Sequence, residues 1–313
     1  MSTAAVAGYG AVGRALVARL AARGQEVVVV QRRDPGPLPK GARFRAGDVA
    51  DPAAARAALG DAGTFVCAVG VRYTGRDFLR DWPQVTQAML AACAGAGARF
   101  LLADNLYMYG PQTAPLREDM ALTDFGEKPR ARAEVTRLWQ AAHAAGRVQA
   151  AAVRASDFYG ADGANSRIAH FGVARLLAGK PALAVDPPDQ PHDFTYIPDY
   201  AAALETLIDA PEADWGHAWH VPNATPTRSL RQVLTMAAGI AGVPMRLRVL
   251  PEAVRRVVGL VDPIVASLGE MRFQWDRPYL VDASKWAARF GTAATPFEDG
   301  LAETVAGYRA GLR

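Results

Sequence analysis

Gly8-Tyr9-Gly10-Ala11-Val12-Gly13, near the start of the chain, fits the pattern G-x-G-x-x-G. Between a strand and an amphipathic helix such a hexapeptide is a diphosphate cradle. The first glycine allows a tight turn, the second lets backbone approach a pyrophosphate, and the third lets helix and strand pack closely. The phosphates then meet unpaired N–H groups and the positive end of the helix dipole. The chemistry implied is dinucleotide binding, with Gly8, Gly10, Ala11, Val12 and Gly13 as the cradle. The alternative is an ordinary strand-to-helix turn in a glycine-rich chain.

The end of the second strand selects the nucleotide. An NAD site places an acid there to accept from the ribose hydroxyls. This chain has Gln31-Arg32-Arg33 instead. A guanidinium matches a 2′-phosphate bidentately, so the expected cofactor is NADP(H), with two solvated loop arginines as the alternative. Arg14, directly after the last glycine, could approach the same phosphate. Asp48-Val49 could meet the adenine edge, unless Asp48 is simply a helix-start acid. Ala68 and Val69, closing the fourth strand, complete the expected cofactor set.

These residues need a scaffold, and the hydrophobic pattern supplies one. Residues 3–7, 26–31, 43–46, 64–69, 99–103 and 149–154 read as strands. Helical patterns separate them: Val12, Leu16 and Leu20 after the glycine turn, then an alanine-rich run capped by Asp51 and Pro52. Trp82, Val85, Met89 and Cys93 mark one face of a third helix, and 127–145 reads as a fourth. This alternation predicts an α/β fold, a doubly wound parallel sheet with its ligand crevice at the carboxyl ends of the strands. The expected division is a Rossmann core over 1–158, with 192–221 returning to it, and a smaller substrate lobe over most of 159–313. In that second half 167–177 reads as a helix, Asp199 as the cap of a helix to about Asp209, and 218–221 and 245–250 as strands. Thr227 or Ser229 starts another helix, and three more begin near Glu252, Ser284 and Phe297.

Composition narrows the classes. The chain has 313 residues, 50% hydrophobic and 21% charged, which is globular. Its 35 basic and 31 acidic residues leave a formal charge of +4, too small a footprint for nucleic-acid binding. No run approaches the ~18 apolar residues that span a bilayer, and no basic leader precedes an apolar one. Cys67 and Cys93 sit among small apolar residues with no ligand spacing beside them, as buried thiols in a reducing cytoplasm would. His217 and His220 alternate along an extended chain, which aims them apart, and adjacent His192 and Asp193 fail as a dyad for the same reason. No metal is expected.

The glycine turn, Gly47-Asp48-Val49, Leu106-Tyr107-Met108-Tyr109-Gly110-Pro111, the segment from Arg154 to Gly160 and that from Asp193 to Asp199 together resemble the extended and atypical short-chain dehydrogenase/reductases, the NAD-dependent epimerase/dehydratase family. Asp282-Ala283-Ser284-Lys285 and the segment from Thr295 to Gly300 look like that family's closing pieces. The resemblance implies hydride chemistry with a Ser/Thr and a Tyr-x-x-x-Lys pair. Here those positions hold Asn105, Gly126 and Arg130, so the usual proton donor is missing. Neither glycine nor arginine exchanges a proton.

Tyr107, two residues after Asn105, is the substitute donor that the resemblance implies, with Asn105 polarising a substrate oxygen; packing under the substrate lobe is the bland alternative. Tyr109 matches the family's structural Tyr-Gly turn. Lys128 and Arg132, at i and i+4, supply positive potential or hold an anionic substrate, unless they are a solvated pair. Tyr73, in the loop after the fourth strand, could also reach the crevice. Two functions follow: an NADP(H)-dependent oxidoreductase or epimerase-like enzyme of a small carbonyl substrate, or an inactive NADP(H)-binding redox sensor. The resemblance also implies a homodimer through helices 82–95 and 127–145.

Overall fold

The computed structural model describes residues 3–163, 166–291 and 294–311. The chain forms two compact units. One comprises the residues up to Met108, Ala121–Arg154 and Tyr200–Trp219; the other comprises Tyr109–Met120, Ala155–Asp199 and the residues from His220 on.

The first unit is built on β1 (Ala4–Ala7), α1 (Ala11–Ala22), β2 (Val27–Gln31), β3 (Ala42–Ala46), α2 (Pro52–Leu59) and β4 (Thr64–Cys67). It continues through α3 (Gly75–Ala96), β5 (Arg99–Asp104), α4 (Glu127–Ala144) and β6 (Ala150–Arg154). The order β6-β5-β4-β1-β2-β3, with Ala218–His220 beside β6, makes a seven-stranded sheet. Its pairs from β3 to β6 are parallel. The doubly wound expectation holds, and the order reverses between β1 and β4. The four valines of β2 are buried because helices cover both faces. Asp51 caps α2 through the Ala54 N–H at 2.7 Å, with Pro52 at the first turn. Trp82, Val85, Met89 and Cys93 are the buried face of α3, as their spacing requires.

Three elements differ from expectation. The strand predicted over 64–69 stops at Cys67: the last ladder bond is Ala68 N–H to Ala7 O, 2.8 Å, and the chain then turns behind Gly8. Asp199 is not a cap, because its helix is Ile197–Asp209 and starts two residues earlier. Its carboxylate accepts instead from the Thr295 N–H at 2.8 Å and hydroxyl at 2.7 Å. The helix predicted over 167–177 is a π-turn, Ala169–Ala174, followed by the short α-helix Arg175–Leu177.

The second unit joins the motif segments that lie far apart in sequence. Asp157–Tyr159 pairs parallel with Phe194–Tyr196. Tyr159, Phe194, Leu234, Phe297 and Leu301 are buried in its core. Helix Leu230–Ala241 carries a full capping box from Ser229 and Gln232.

Candidate active site

Three strand ends bring the glycine turn and the residues after β2 and β3 to one edge of the sheet. Gly8 N–H donates to Val30 O at 2.9 Å and Gly47 N–H to Gln31 O at 3.1 Å, so β1, β2 and β3 end at one level. The glycines differ in what they make possible. Gly8 has φ +92°, and a Cβ there would lie 2.5 Å from the Ala68 carbonyl oxygen and 2.8 Å from Val69 Cα. A Cβ on Gly13 would lie 2.0 Å from Gly8 O, which is why α1 packs so closely on β1. A Cβ on Gly10 would meet nothing within 4 Å: this glycine faces open space. Gly10 caps α1 with no side chain, so the Ala11, Val12 and Gly13 N–H groups keep the directions that suit an anion. The residues therefore fit a diphosphate on an observation independent of the motif.

Past β2, Arg32 and Arg33 are exposed. The Gln31 amide donates to Arg33 O at 2.8 Å, folding back on its own loop. The next acid along the chain, Asp34, accepts from the Gly36 N–H at 2.8 Å. Arg14 lies half-buried in the first turn of α1. Asp48 is exposed and accepts from the Ala50 N–H at 3.1 Å; Asp51 is the helix cap, so Asp48 is not the helix-start acid. Val49 is buried in the core.

The second cluster lies beyond β5. Asn105 Oδ1 accepts from the Tyr107 N–H at 3.0 Å, which leaves the Asn105 NH2 as the donor this side chain can offer a ligand. The Tyr107 hydroxyl lies 3.3 Å from that of Tyr73. Lys128 Nζ sits over the Tyr73 ring, 4.6 Å from its centroid. Lys128 and Arg132 are 0% and 1% exposed, which corrects the solvated-pair alternative: the α4 face that carries them turns into the core.

Sequence reasoning missed the anion that anchors this corner. Asp104, closing β5, bonds Arg132 and, at 3.2 Å, Arg154 Nε. Arg154 also reaches the Thr136 hydroxyl at 3.0 Å, and the Arg132 guanidinium lies 3.9 Å above the Trp82 ring. Two guanidinium groups share one carboxylate, so the cluster keeps a net positive charge in a low dielectric. The Tyr200 hydroxyl donates to the Asp104 and Val153 carbonyl oxygens at 2.7 and 3.0 Å; burial, then the Asp104 charge, lift its pKa well above a free phenol's. The available signal was Asp104 and Arg154, opposite charges ending two apolar strands that pair in register.

The structure also places the tyrosine, histidine and cysteine side chains singled out in the sequence. Tyr109 is a structural residue: its hydroxyl bonds His220 Nε2 at 2.8 Å. His192 faces Asp157, 3.4 Å away, rather than Asp193, whose carboxylate is held by Thr227 and the Val281 N–H. Both cysteines are buried; burial pushes the Cys67 thiol up to about 11 and that of Cys93 to about 12. Among the described residues no cluster of His, Cys, Asp or Glu could hold a metal, and no helix is long and apolar enough to cross a membrane.

The model of the NAD dependent epimerase/dehydratase family matches residues 4–221. The chain belongs to the NAD-dependent epimerase/dehydratase family. Solved structures resemble this family member over essentially its whole length. MoeE5 in complex with UDP-glucuronic acid and NAD shares 21% identity with a TM-score of 0.80, covering 99% of both chains. UDP-glucuronic acid 4-epimerase from Bacillus cereus, with UDP-glucuronic acid and NAD, shares 18% with a TM-score of 0.79, covering 98% of this chain and 99% of its own. The dTDP-glucose 4,6-dehydratase DesIV from Streptomyces venezuelae, with NAD and TYD bound, shares 19% with a TM-score of 0.80, covering 98% and 97%. At these identities the likeness shows a shared fold. No curated protein matches the chain.

Proposed function

We propose that this family member is an NADP(H)-dependent oxidoreductase or epimerase-like enzyme acting at a carbonyl or alcohol carbon of a small molecule, with Tyr107 as its proton donor. The observation that carries this reading is the corner beyond β5. A phenol, a carboxamide and buried positive charge gather there, on the core cluster that also seats Val69 beside the glycine turn. A bound nicotinamide dinucleotide supplies or accepts the hydride. The chain's own residues do the rest. Gly8, Gly10 and the first turn of α1 hold the diphosphate. Arg32 and Arg33 take the 2′-phosphate, since Gln31 offers no carboxylate to ribose hydroxyls and Asp34 is engaged by its own turn. The Asn105 NH2 orients the substrate oxygen. The Tyr107 hydroxyl gives that oxygen a proton on reduction and takes it back on oxidation.

The solved relatives hold NAD with nucleotide or sugar-nucleotide ligands, so a sugar nucleotide joins simple carbonyls among the substrates to try. The test is NADPH consumption against aldehydes, ketones, enones and oxidised sugar nucleotides. Turnover is expected, and it falls at least ~10-fold in Tyr107→Phe, a loss in keeping with general acid catalysis. Unchanged turnover in that variant removes Tyr107 from the mechanism, and no turnover with any substrate favours a sensor. A homodimer through α3 and α4 belongs to the same proposal, and analytical sedimentation tests it.

A further inference from the structure

Tyr73 sits where several local devices converge. Thr74 is the N-cap of α3: its hydroxyl accepts from the Asp77 N–H at 3.2 Å and donates to the Asp77 carboxylate at 2.6 Å. Tyr73 precedes that cap and Phe78 follows it by four residues, and their rings meet edge to face at 5.6 Å. This is a hydrophobic staple, which fixes the direction of the chain entering a helix. Phe78 is braced in turn by Trp82, 6.2 Å away, and Trp82 carries the Arg132 guanidinium on its face. The Tyr73 ring is thus set by packing. One face meets Lys128 Nζ, and its hydroxyl meets that of Tyr107.

A buried ammonium over an aromatic face is attracted to the ring's electrons and draws density from them. That makes the Tyr73 phenol the better hydrogen-bond donor of the pair. We propose that Tyr73 is a positioning residue for the chemistry at Tyr107, donating its hydroxyl to the Tyr107 oxygen while Lys128 polarises its ring. The proposal rests on the reading of Tyr107 as proton donor. When Tyr107 gives its proton to the substrate oxygen, the resulting phenolate accepts the Tyr73 hydrogen bond, and a solvent proton later restores Tyr107. Tyr73 keeps its own proton throughout. The charge that the Tyr-x-x-x-Lys pair would place beside one phenol is here delivered through a second phenol.

Besides Lys128, charged groups stand around the pair: Arg72 next to Tyr73, Glu127 packed against Gly75, Asp77 and Asp104. Asp77 is held by Thr74 and Arg80, and Asp104 is shared by Arg132 and Arg154.

The test uses the whole protein without nucleotide. The ultraviolet tyrosinate titration of the wild type minus that of Tyr107→Phe isolates the Tyr107 step. In Tyr73→Phe, which keeps the staple and removes one oxygen, that step is expected to move up by about one pH unit, the size of one hydrogen bond to a charged group. Lys128→Met should move it the same way, and a thermal melt of each variant checks folding. With NADPH and a working substrate, Tyr73→Phe should lower kcat about 10-fold and leave KM alone. A Tyr107 step that stays in place in Tyr73→Phe overturns the proposal, whatever happens to turnover. Loss of activity in Tyr107→Phe is read separately, so the reading of Tyr107 and the role of Tyr73 can fail independently.

Discussion

The glycine turn and the corner beyond β5 stand at the same edge of one sheet and are made in opposite ways. The turn works through main chain and missing side chains: Gly13 has no room for a Cβ, and Gly10 faces open space. The corner works through side chains delivered by the loop before α3, the ends of β5 and β6, and α4. One is a local structure that tolerates no additions. The other is an assembly that tolerates no subtraction, because each buried charge relies on a partner from another element.

The largest expected effect is at the assembly. Asp104→Ala leaves Arg132 and Arg154 buried without their shared anion and should cost about 3–5 kcal/mol in denaturant unfolding. A loss below about 1 kcal/mol would mean that the corner is held by packing alone.

Next, the two glycines should separate folding from binding. Gly13→Ala forces a Cβ onto Gly8 O and should cost about 1–3 kcal/mol along with nucleotide affinity. Gly10→Ala meets no protein atom and should cost less than about 1 kcal/mol, yet weaken nucleotide binding in calorimetry by a similar factor. Equal stability losses would erase the distinction between the two positions.

A carboxylate outside both regions provides a pH comparison. Burial would raise the Asp157 pKa, but the His192 imidazole 3.4 Å away, with Arg167 and the Trp275 N–H, outweighs it and holds it at about 2. Because the folded value lies below the ordinary one, this group's contribution of about 2 kcal/mol is complete above about pH 4 and is lost as pH falls through 2. His192→Gln should move the acid-unfolding midpoint upward; an unmoved midpoint rules out His192 as the main counter-charge.

The smallest effect is at the nucleotide's far end. The double variant Arg32→Ala, Arg33→Ala should lose about 10-fold in affinity for NADPH and little for NADH, because both groups are solvated and screened. Equal affinities in the unaltered protein would end the NADP(H) assignment while leaving the cradle intact.

The sequence by itself determined the sheet, its order of strands and helices, and the glycine turn. Each depends on neighbours within a few residues: four valines in a row, Asp51-Pro52 before a helix, three glycines at set spacing. Tyr107 and Asn105 were reachable only through the family resemblance, counted back from Tyr109-Gly110. Tertiary structure alone decided what surrounds them. Lys128 and Arg132 look like surface charge in a basic helix, and Asp104 looks like the end of a strand. Whether a charge is buried depends on which helix face meets the sheet and on what stands across from it, and those partners lie up to 50 residues away in the chain.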